Sequence, residues 1–301
     1  MRVHFGREQL RAEWKRAAGC LGTFDGVHLG HQAVIAAAVA TARSESIPCV
    51  LATFDRHPAS VLAPERCPLA VATVGSNLRR FESLGVDIAV VLPFDRATSE
   101  SPPEAFLSEV LQGALHIDRM AIGHDFAFGH QRAGTPEWLA DRVQTQIVPP
   151  LMLDGVRVSS SAVREAVSKG LVERAARLLG RPFAIEGVVV EGLRLGRRLG
   201  YPTANLVRSS PQITPADGVY AGSCDTPFGT FQAAVSIGLR PAVGGTERTI
   251  EAYLLDYPGE SLYGRALELG IERRLRDERS FESLEALTEQ IARDVGAVRG
   301  G

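Results

Sequence analysis

The sequence predicts an α/β domain built on a parallel sheet, followed by an all-β domain that ends in a single helix. Three observations carry this. In the first half, continuous apolar runs alternate with segments of helical periodicity, as in sheets covered on both faces. After Phe183 the apolar period changes to two, in short segments parted by turn residues. All seven histidines lie at or before His130, so the two halves carry different chemistry.

The elements follow in order. Residues 18–21 are small and apolar and read as the end of a buried strand. A glycine-rich turn leads from it into the apolar helical run 33–39. Residues 48–54 form a second strand ending at the turn Asp55-Arg56-His57-Pro58. Residues 77–84 place Leu78, Phe81 and Leu84 at helical spacing, and Gly85-Val86-Asp87 opens the strand 88–92. Residues 103–111 read as a helix and 119–122 as a strand entering Gly123. Ser159-Ser160-Ser161 is a strong helix start, and a second helix over 172–179 stops at Gly180-Arg181-Pro182. The domain boundary is placed there, giving domains 1–182 and 183–301. Beyond it, 185–190, 218–224, 231–237, 249–255 and 266–271 are short strands, with a hairpin turn at 225–229. They predict an antiparallel barrel or sandwich. The final helix, 281–298, carries Leu284, Leu287, Ile291 and Val295 on one face.

Composition narrows the function classes. The chain has 301 residues, 45% of them hydrophobic and 23% charged, as in ordinary globular proteins. A net charge of -2 offers no field for nucleic acid or anionic lipid. The N-terminus lacks an apolar core of signal-peptide length, and no apolar run is long enough for a membrane span. The four cysteines form no Cys-x-x-Cys pair, which predicts reduced thiols and a cytoplasmic protein.

The chemistry concentrates in Gly22-Thr-Phe-Asp-Gly-Val-His-Leu-Gly-His-Gln32. Strand, glycine turn, then helix presents backbone N–H groups and a positive dipole end to a phosphate, and His28 and His31 add donors. A Walker loop is excluded, since the only lysines are Lys15 and Lys169. Half of a metal site, or a turn with two idle histidines, are the other readings of this spacing. The turns bearing His28 and His31, His57, and His124 all follow predicted strands. Ligands of parallel sheets bind at the carboxyl ends of strands, so one site would collect them. In the second half, strand alternation sets Glu251 on a face with Tyr253 and Leu255, opposite Ile250, Ala252 and Leu254. A carboxylate there is either poised to accept a hydroxyl proton or a solvated edge residue.

Taken together, the motifs resemble the bacterial bifunctional riboflavin kinase/FAD synthetases over nearly the whole chain. The first-half carriers are Gly22 to His31, Thr53-Phe-Asp-Arg-His-Pro58, Gly123-His-Asp-Phe-Ala-Phe-Gly129 and Ser159-Ser-Ser-Ala-Val-Arg164. Those of the second half are Gly196-Arg-Arg-Leu-Gly-Tyr-Pro-Thr-Ala-Asn205, Gly218-Val-Tyr220, Ile237-Gly-Leu-Arg-Pro241, Glu251 and Leu262-Tyr-Gly264. The resemblance implies a Rossmann-like nucleotidyltransferase domain with a parallel sheet, then a β-barrel riboflavin kinase domain. It implies two ATP-dependent steps, riboflavin to FMN and FMN to FAD, with Mg²⁺. For adenylyl transfer it marks His28 and His31 as catalytic. Gly22, Phe24, Asp25, Gly26, Gly30, Ser160, Ser161 and Arg164 would bind nucleotide, and His57, Pro58, Asp125, Phe126 and Phe128 the flavin. For the kinase it marks Glu251 as the base, Gly196 and Arg197 as nucleotide-binding, and Thr203 and Asn205 as nucleotide and metal ligands. Riboflavin, FMN and ATP are the implied partners, with no nucleic acid or membrane and a possible weak homo-oligomer.

Departures from the family pattern are Arg56 in place of proline, Ser161 in place of threonine, and a short stretch from 134 to 158. In the kinase half, Ser236 and Ala242 stand where asparagine and threonine are common. Three readings follow: the bifunctional enzyme, a kinase with an impaired adenylyltransferase half, or a flavin carrier without turnover. The set Thr203, Asn205 and Glu251 argues against the carrier.

Overall fold

In the first half, β2 (Ala17–Leu21), β3 (Cys49–Phe54) and β4 (Ile88–Leu92) form the buried centre of a parallel sheet. The computed structural model describes residues 1–6, 13–192, 195–208, 210–242 and 245–300. By internal contacts the chain divides into two units, Met1–Ser159 and Ser160–Gly301.

The sheet of the first unit has six parallel strands in the order β1-β4-β3-β2-β5-β6. β5 (Ile117–Gly123) matches an apolar run, but the edge strands β1 (Arg2–Phe5) and β6 (Gln144–Val148) were not foreseen. Edge strands are half exposed, so Arg-Val-His-Phe and Gln-Thr-Gln-Ile-Val carry no continuous apolar signal. Neighbouring strands supply their order instead.

Two apolar clusters cover the faces of the sheet. Helix α1 (Leu29–Glu45) packs on β2, β3 and β5, burying Val34, Ile35, Ala38 and Ala42. Helix α2 (Val74–Ser83), capped by the Thr73 hydroxyl accepting from Ser76 N–H, drives Phe81 into the same cluster. On the other face, the segment Phe106–Ala114 is helical as expected but wound as a π-helix, Leu115 N–H donating to the Val110 carbonyl at 3.0 Å. The stretch 134–158 holds a one-turn helix, Pro136–Ala140, the strand β6 and a small hairpin of β7 (Met152–Leu153) and β8 (Val156–Arg157).

The second unit opens with α3 (Ser160–Ser168) and α4 (Val172–Leu179), and Gly180 ends α4 in the left-handed conformation at φ 71°. Helix α4 packs on two strands of the following barrel, so compactness assigns this pair to the second unit, upstream of the functional boundary expected after Pro182. The barrel is closed and antiparallel, in the order β10-β13-β12-β11-β14-β9. Its strands are β9 (Phe183–Val190), β10 (Thr203–Val207), β11 (Gly218–Thr226), β12 (Gly229–Ala242), β13 (Gly245–Leu254) and β14 (Ala266–Arg276). This settles the choice between barrel and sandwich. Ile185, Val235, Ile237, Ile250, Ala252, Leu269 and Ile271 fill its interior.

The final helix α5 (Leu284–Arg299) is rotated from the expected stripe. Leu284 is exposed, and the buried positions are Gln290, Asp294 and Val298. Here tertiary pairing overrides periodicity. Arg276 of β14 grips both oxygens of Asp294, the shortest bond being 2.7 Å, and Gln290 Nε2 donates to Asp294 at 2.8 Å. A buried carboxylate held this way is tolerated on a packed face. Val295 and Val298 complete the contact against Ala221, Tyr253 and Leu255.

Candidate active sites

The turn between β2 and α1 is held in an uncommon backbone shape. Phe24 and Val27 have φ of 46° and 43°, a costly conformation for an aromatic and a β-branched residue. The surroundings fix it. The Asp25 carboxylate accepts from Val71 N–H at 2.9 Å and from Ala72 N–H at 3.2 Å. Asn77 Oδ1 accepts from Gly26 N–H at 3.2 Å, and Gln32 Nε2 donates to the Val27 carbonyl at 2.9 Å. Val27 is fully buried, and Phe24 packs edge-on against Phe81.

These bonds aim the histidines. His28 Nδ1 accepts from His31 N–H at 3.2 Å and caps α1, so a neutral His28 carries its proton on Nε2. The two imidazoles stack with centroids 3.6 Å apart, and Phe24 meets the edge of His31. Gly30 lies under the His28 ring, beside the Val158 carbonyl. Asp25, expected among the nucleotide-binding residues, spends these bonds on the loop amides. Asn77 and Gln32 were not foreseen; the signal was a polar Asn77 four residues before the fully buried Phe81.

The other two histidine turns emerge at the same end of the sheet, because β3, β2 and β5 are parallel neighbours. After β3, His57 Nδ1 accepts from Ala59 N–H at 3.1 Å, next to Pro58. Arg56 turns to Asp55 at 2.8 Å. Burial raises the Asp55 carboxyl, but Arg56 and the Phe94 amide outweigh that and hold it below the usual range. After β5, Asp125 pairs with Arg157 at 3.2 Å. Phe126 stacks on Phe128, which is buried against Phe106 and Trp138. Phe128 is therefore a support for Phe126 rather than an open surface. Ser160, Ser161 and Arg164 lie in the first turns of α3, at the head of the second unit.

In the barrel, β13 runs between β10 and β12, and Glu251 stands opposite Asn205 on one side and Ser236 on the other. It is half buried, inside a closed barrel wall, which removes the reading of a solvated edge residue. Thr203 Oγ1 donates to Glu251 Oε2 at 3.2 Å. Tyr201 packs edge-on against Tyr253 at 5.3 Å. The glycines ahead of β10 are required by space. A Cβ on Gly192 would sit 2.5–2.6 Å from the Asn205 amide group, and one on Gly196 would overlap the Tyr201 carbonyl. Arg197 is exposed beside them. The strand β10 was not foreseen, since Thr-Ala-Asn-Leu-Val is polar where it faces the site. The side chains of 240–247, Ala242 among them, lie outside the described residues.

Comparison with known proteins finds matches to both halves. The FAD synthetase family model matches residues 10–162 and the riboflavin kinase family model residues 179–300. A bifunctional riboflavin kinase/FMN adenylyltransferase of Escherichia coli (strain K12) is 36% identical, over 92% of this chain and 90% of its own. The chain belongs to the bifunctional riboflavin kinase/FMN adenylyltransferase family. Members from Pseudomonas fluorescens and Bacillus subtilis (strain 168) are 35% and 32% identical, over 99% and 95% of this chain and 97% and 92% of theirs. A Streptococcus pneumoniae crystal structure described as a macrolide-efflux protein aligns over 100% of both chains with a TM-score of 0.91 and 28% identity. Among the described residues, no helix of this family member is long and apolar enough to cross a membrane.

Proposed function

We infer that this chain is a bifunctional enzyme of flavin-cofactor synthesis. The second half phosphorylates riboflavin to FMN with ATP. The first transfers an adenylyl group from ATP to FMN, giving FAD and pyrophosphate. The observation that carries the reading is the cluster of Thr203, Asn205 and Glu251 beneath Gly192, within the part that matches riboflavin kinase. A kinase with an impaired adenylyltransferase half is not favoured, because the FAD synthetase match spans the first half and the histidine turn is intact.

In the kinase half, Glu251 takes the proton of the ribityl 5′-hydroxyl as its oxygen attacks the γ-phosphorus of ATP and ADP leaves. The Thr203 hydroxyl fixes the carboxylate by donating to Oε2. Its oxygen lone pairs and the Asn205 amide oxygen are hard donors that would fit Mg²⁺, with phosphate oxygens and water as further ligands. Bound there, the ion neutralises phosphate charge. Gly196 and Arg197 flank the phosphates.

In the adenylyltransferase half, a phosphate oxygen of FMN attacks the α-phosphorus of ATP. His28, His31 and the first amides of α1 meet the charge that develops. Gly22, Phe24, Gly26 and Gly30 shape the loop for the nucleotide. Ser160, Ser161 and Arg164 are assigned to the triphosphate on the resemblance, and His57, Pro58, Asp125 and Phe126 to the flavin, with Phe128 behind. Functionally the halves divide after residue 182, and the free buried thiols suit the cytoplasm.

The test is incubation of the purified protein with riboflavin and Mg-ATP, with products resolved by chromatography. FMN and FAD together are expected. FMN alone would support the impaired-half reading, and neither product would overturn both. Glu251→Ala should abolish FMN formation yet leave conversion of supplied FMN to FAD. His28→Ala with His31→Ala should do the reverse.

A further inference from the structure

At the end of the barrel where β10 runs out and β13 begins, two arginines meet beside a single paired carboxylate. β10 and β13 are antiparallel, with Thr203 opposite Tyr253 and Asn205 opposite Glu251. The same register carried onward sets Arg208 opposite Arg248. Each is two residues from a buried interior position, Leu206 on β10 and Ile250 on β13. Strand alternation therefore turns both side chains toward the mouth of the barrel, away from the face that carries Glu251. Like charges directly across two strands, with Cβ atoms about 4.5–5.5 Å apart, repel. The effect shows on Arg208, where burial and then the Arg248 cation push the guanidinium below the usual arginine range.

Only Arg248 of the two is neutralised. It pairs with Asp217, and donates to Thr214 Oγ1 at 2.8 Å and to the Pro215 carbonyl at 3.1 Å. Among the described residues, Arg208 donates to the Gln212 carbonyl and meets no carboxylate. The loop that supplies these acceptors is fixed in place. Gln212 is buried, its amide donating to the Ala184 carbonyl at 2.7 Å and accepting from Glu186 N–H at 3.2 Å. It thereby fills the side of β9 that β10, pairing only with Val188 to Val190, leaves open. The Tyr220 hydroxyl donates to the Ala216 carbonyl at 2.6 Å and holds the other end of the loop. Two guanidinium groups are thus set half buried in fixed positions, with positive charge in excess.

We propose that this bay binds a phosphate-type oxyanion, held between the guanidinium groups of Arg208 and Arg248 with the Thr214 hydroxyl beside them. None of these residues has a part in the kinase or adenylyltransferase sites. The donor set selects the class. Guanidinium forks hold oxyanions through paired charge-assisted N–H···O bonds. Forks arriving from two strands need an acceptor with oxygens in more than one plane. A tetrahedral phosphate offers oxygens to both, whereas a planar carboxylate fills one fork. A dianion also cancels the excess charge, and with it the repulsion across β10 and β13. Those strands carry Asn205 and Glu251, so an occupied bay braces the strands of the kinase site.

The test is calorimetry of the full-length protein, unaltered and as Arg208→Gln, without Mg²⁺ or nucleotide. The buffers are chloride, acetate, orthophosphate and pyrophosphate at one ionic strength. In chloride the barrel transition of Arg208→Gln should lie level with or above that of the unaltered protein, since a like-charge pair is gone. Orthophosphate or pyrophosphate should raise the transition of the unaltered protein with concentration, and acetate should not. The apparent affinity drawn from that rise should fall about tenfold or more in Arg208→Gln. Anion bound at the histidine turn or beside Thr203 stabilises both proteins alike, so the difference isolates the bay. The tighter of the two anions identifies the source, free phosphate or the pyrophosphate released by adenylyl transfer. Arg208→Lys, which keeps the charge without the fork, should give an intermediate response and answers the question if Arg208→Gln does not fold. An equal phosphate response in the unaltered and variant proteins overturns the proposal, as does an acetate response as large as that of phosphate. A loss of stability in chloride as large as in phosphate also overturns it, and would make Arg208 a brace for the Gln212 loop alone.

Discussion

Replacing Asp25 separates a loop-holding role from a nucleotide-binding one. Its carboxylate is nearly buried and accepts from two backbone amides, Val71 N–H and Ala72 N–H. Asp25→Ala leaves both amides without that acceptor in a closed space. Hydrogen bonds to a charged group contribute about 1.5–3 kcal/mol each, so the loss is about 3–6 kcal/mol for the pair. For a unit of this size, each kcal/mol corresponds to roughly 2–4 °C in Tm. The expected result is a fall of about 6–24 °C in the transition of the first unit, by calorimetry, with the kinase activity of the barrel retained. The strained Phe24 and Val27 should relax once the clamp goes, so adenylyl transfer should fall through kcat, from misplaced His28 and His31. Asp25→Asn, which keeps one acceptor oxygen, should recover part of the loss. A variant that melts normally but shows a raised KM for ATP alone would refute this reasoning and return Asp25 to the nucleotide.

Gly192→Ala drives a methyl group into the Asn205 amide and should cut kinase turnover at least tenfold. Adenylylation of supplied FMN should be unaffected; equal loss of both activities would count against a local steric cause. Among the cysteines, burial pushes Cys20 well up, Cys49 to about 12 and Cys224 to about 11. Iodoacetamide at pH 8 should therefore modify the partly exposed Cys67 first; rapid labelling of Cys49 in folded protein would contradict this. The same shifts set a sign for stability. A thiol raised in the folded state contributes fully below its ordinary pKa. That contribution is lost as pH climbs from about 9 toward the folded values, because the unfolded chain ionises first. Urea midpoints measured from pH 8 to 11 should fall accordingly.

Much of the fold is legible in the chain because burial and periodicity coincide there. Ile88–Leu92 is apolar at every position and buried at every position. Gly180 stops α4 where the sequence places its end. The elements that escaped notice, β1, β6 and β10, are sheet edges or line a polar site. Their order comes from neighbours far away in sequence, not from their own composition. Leu284 shows the converse, an apolar residue in register with a stripe yet exposed, because the Arg276–Asp294 clasp fixes the rotation of α5.

The sequence by itself determined the α/β half, the all-β half and the histidine turn, while its motifs marked Thr203, Asn205 and Glu251 by family resemblance. Those depend on local spacing and on motifs that are contiguous or nearly so. Only the tertiary structure decided that the barrel closes and that Asp25 clamps a loop. It also decided that Phe128 is a support for Phe126, and that Asn205 and Ser236 flank Glu251. Each is a contact between residues distant in sequence, and strand register, which sets such contacts, is a property of the assembled sheet rather than of any one segment.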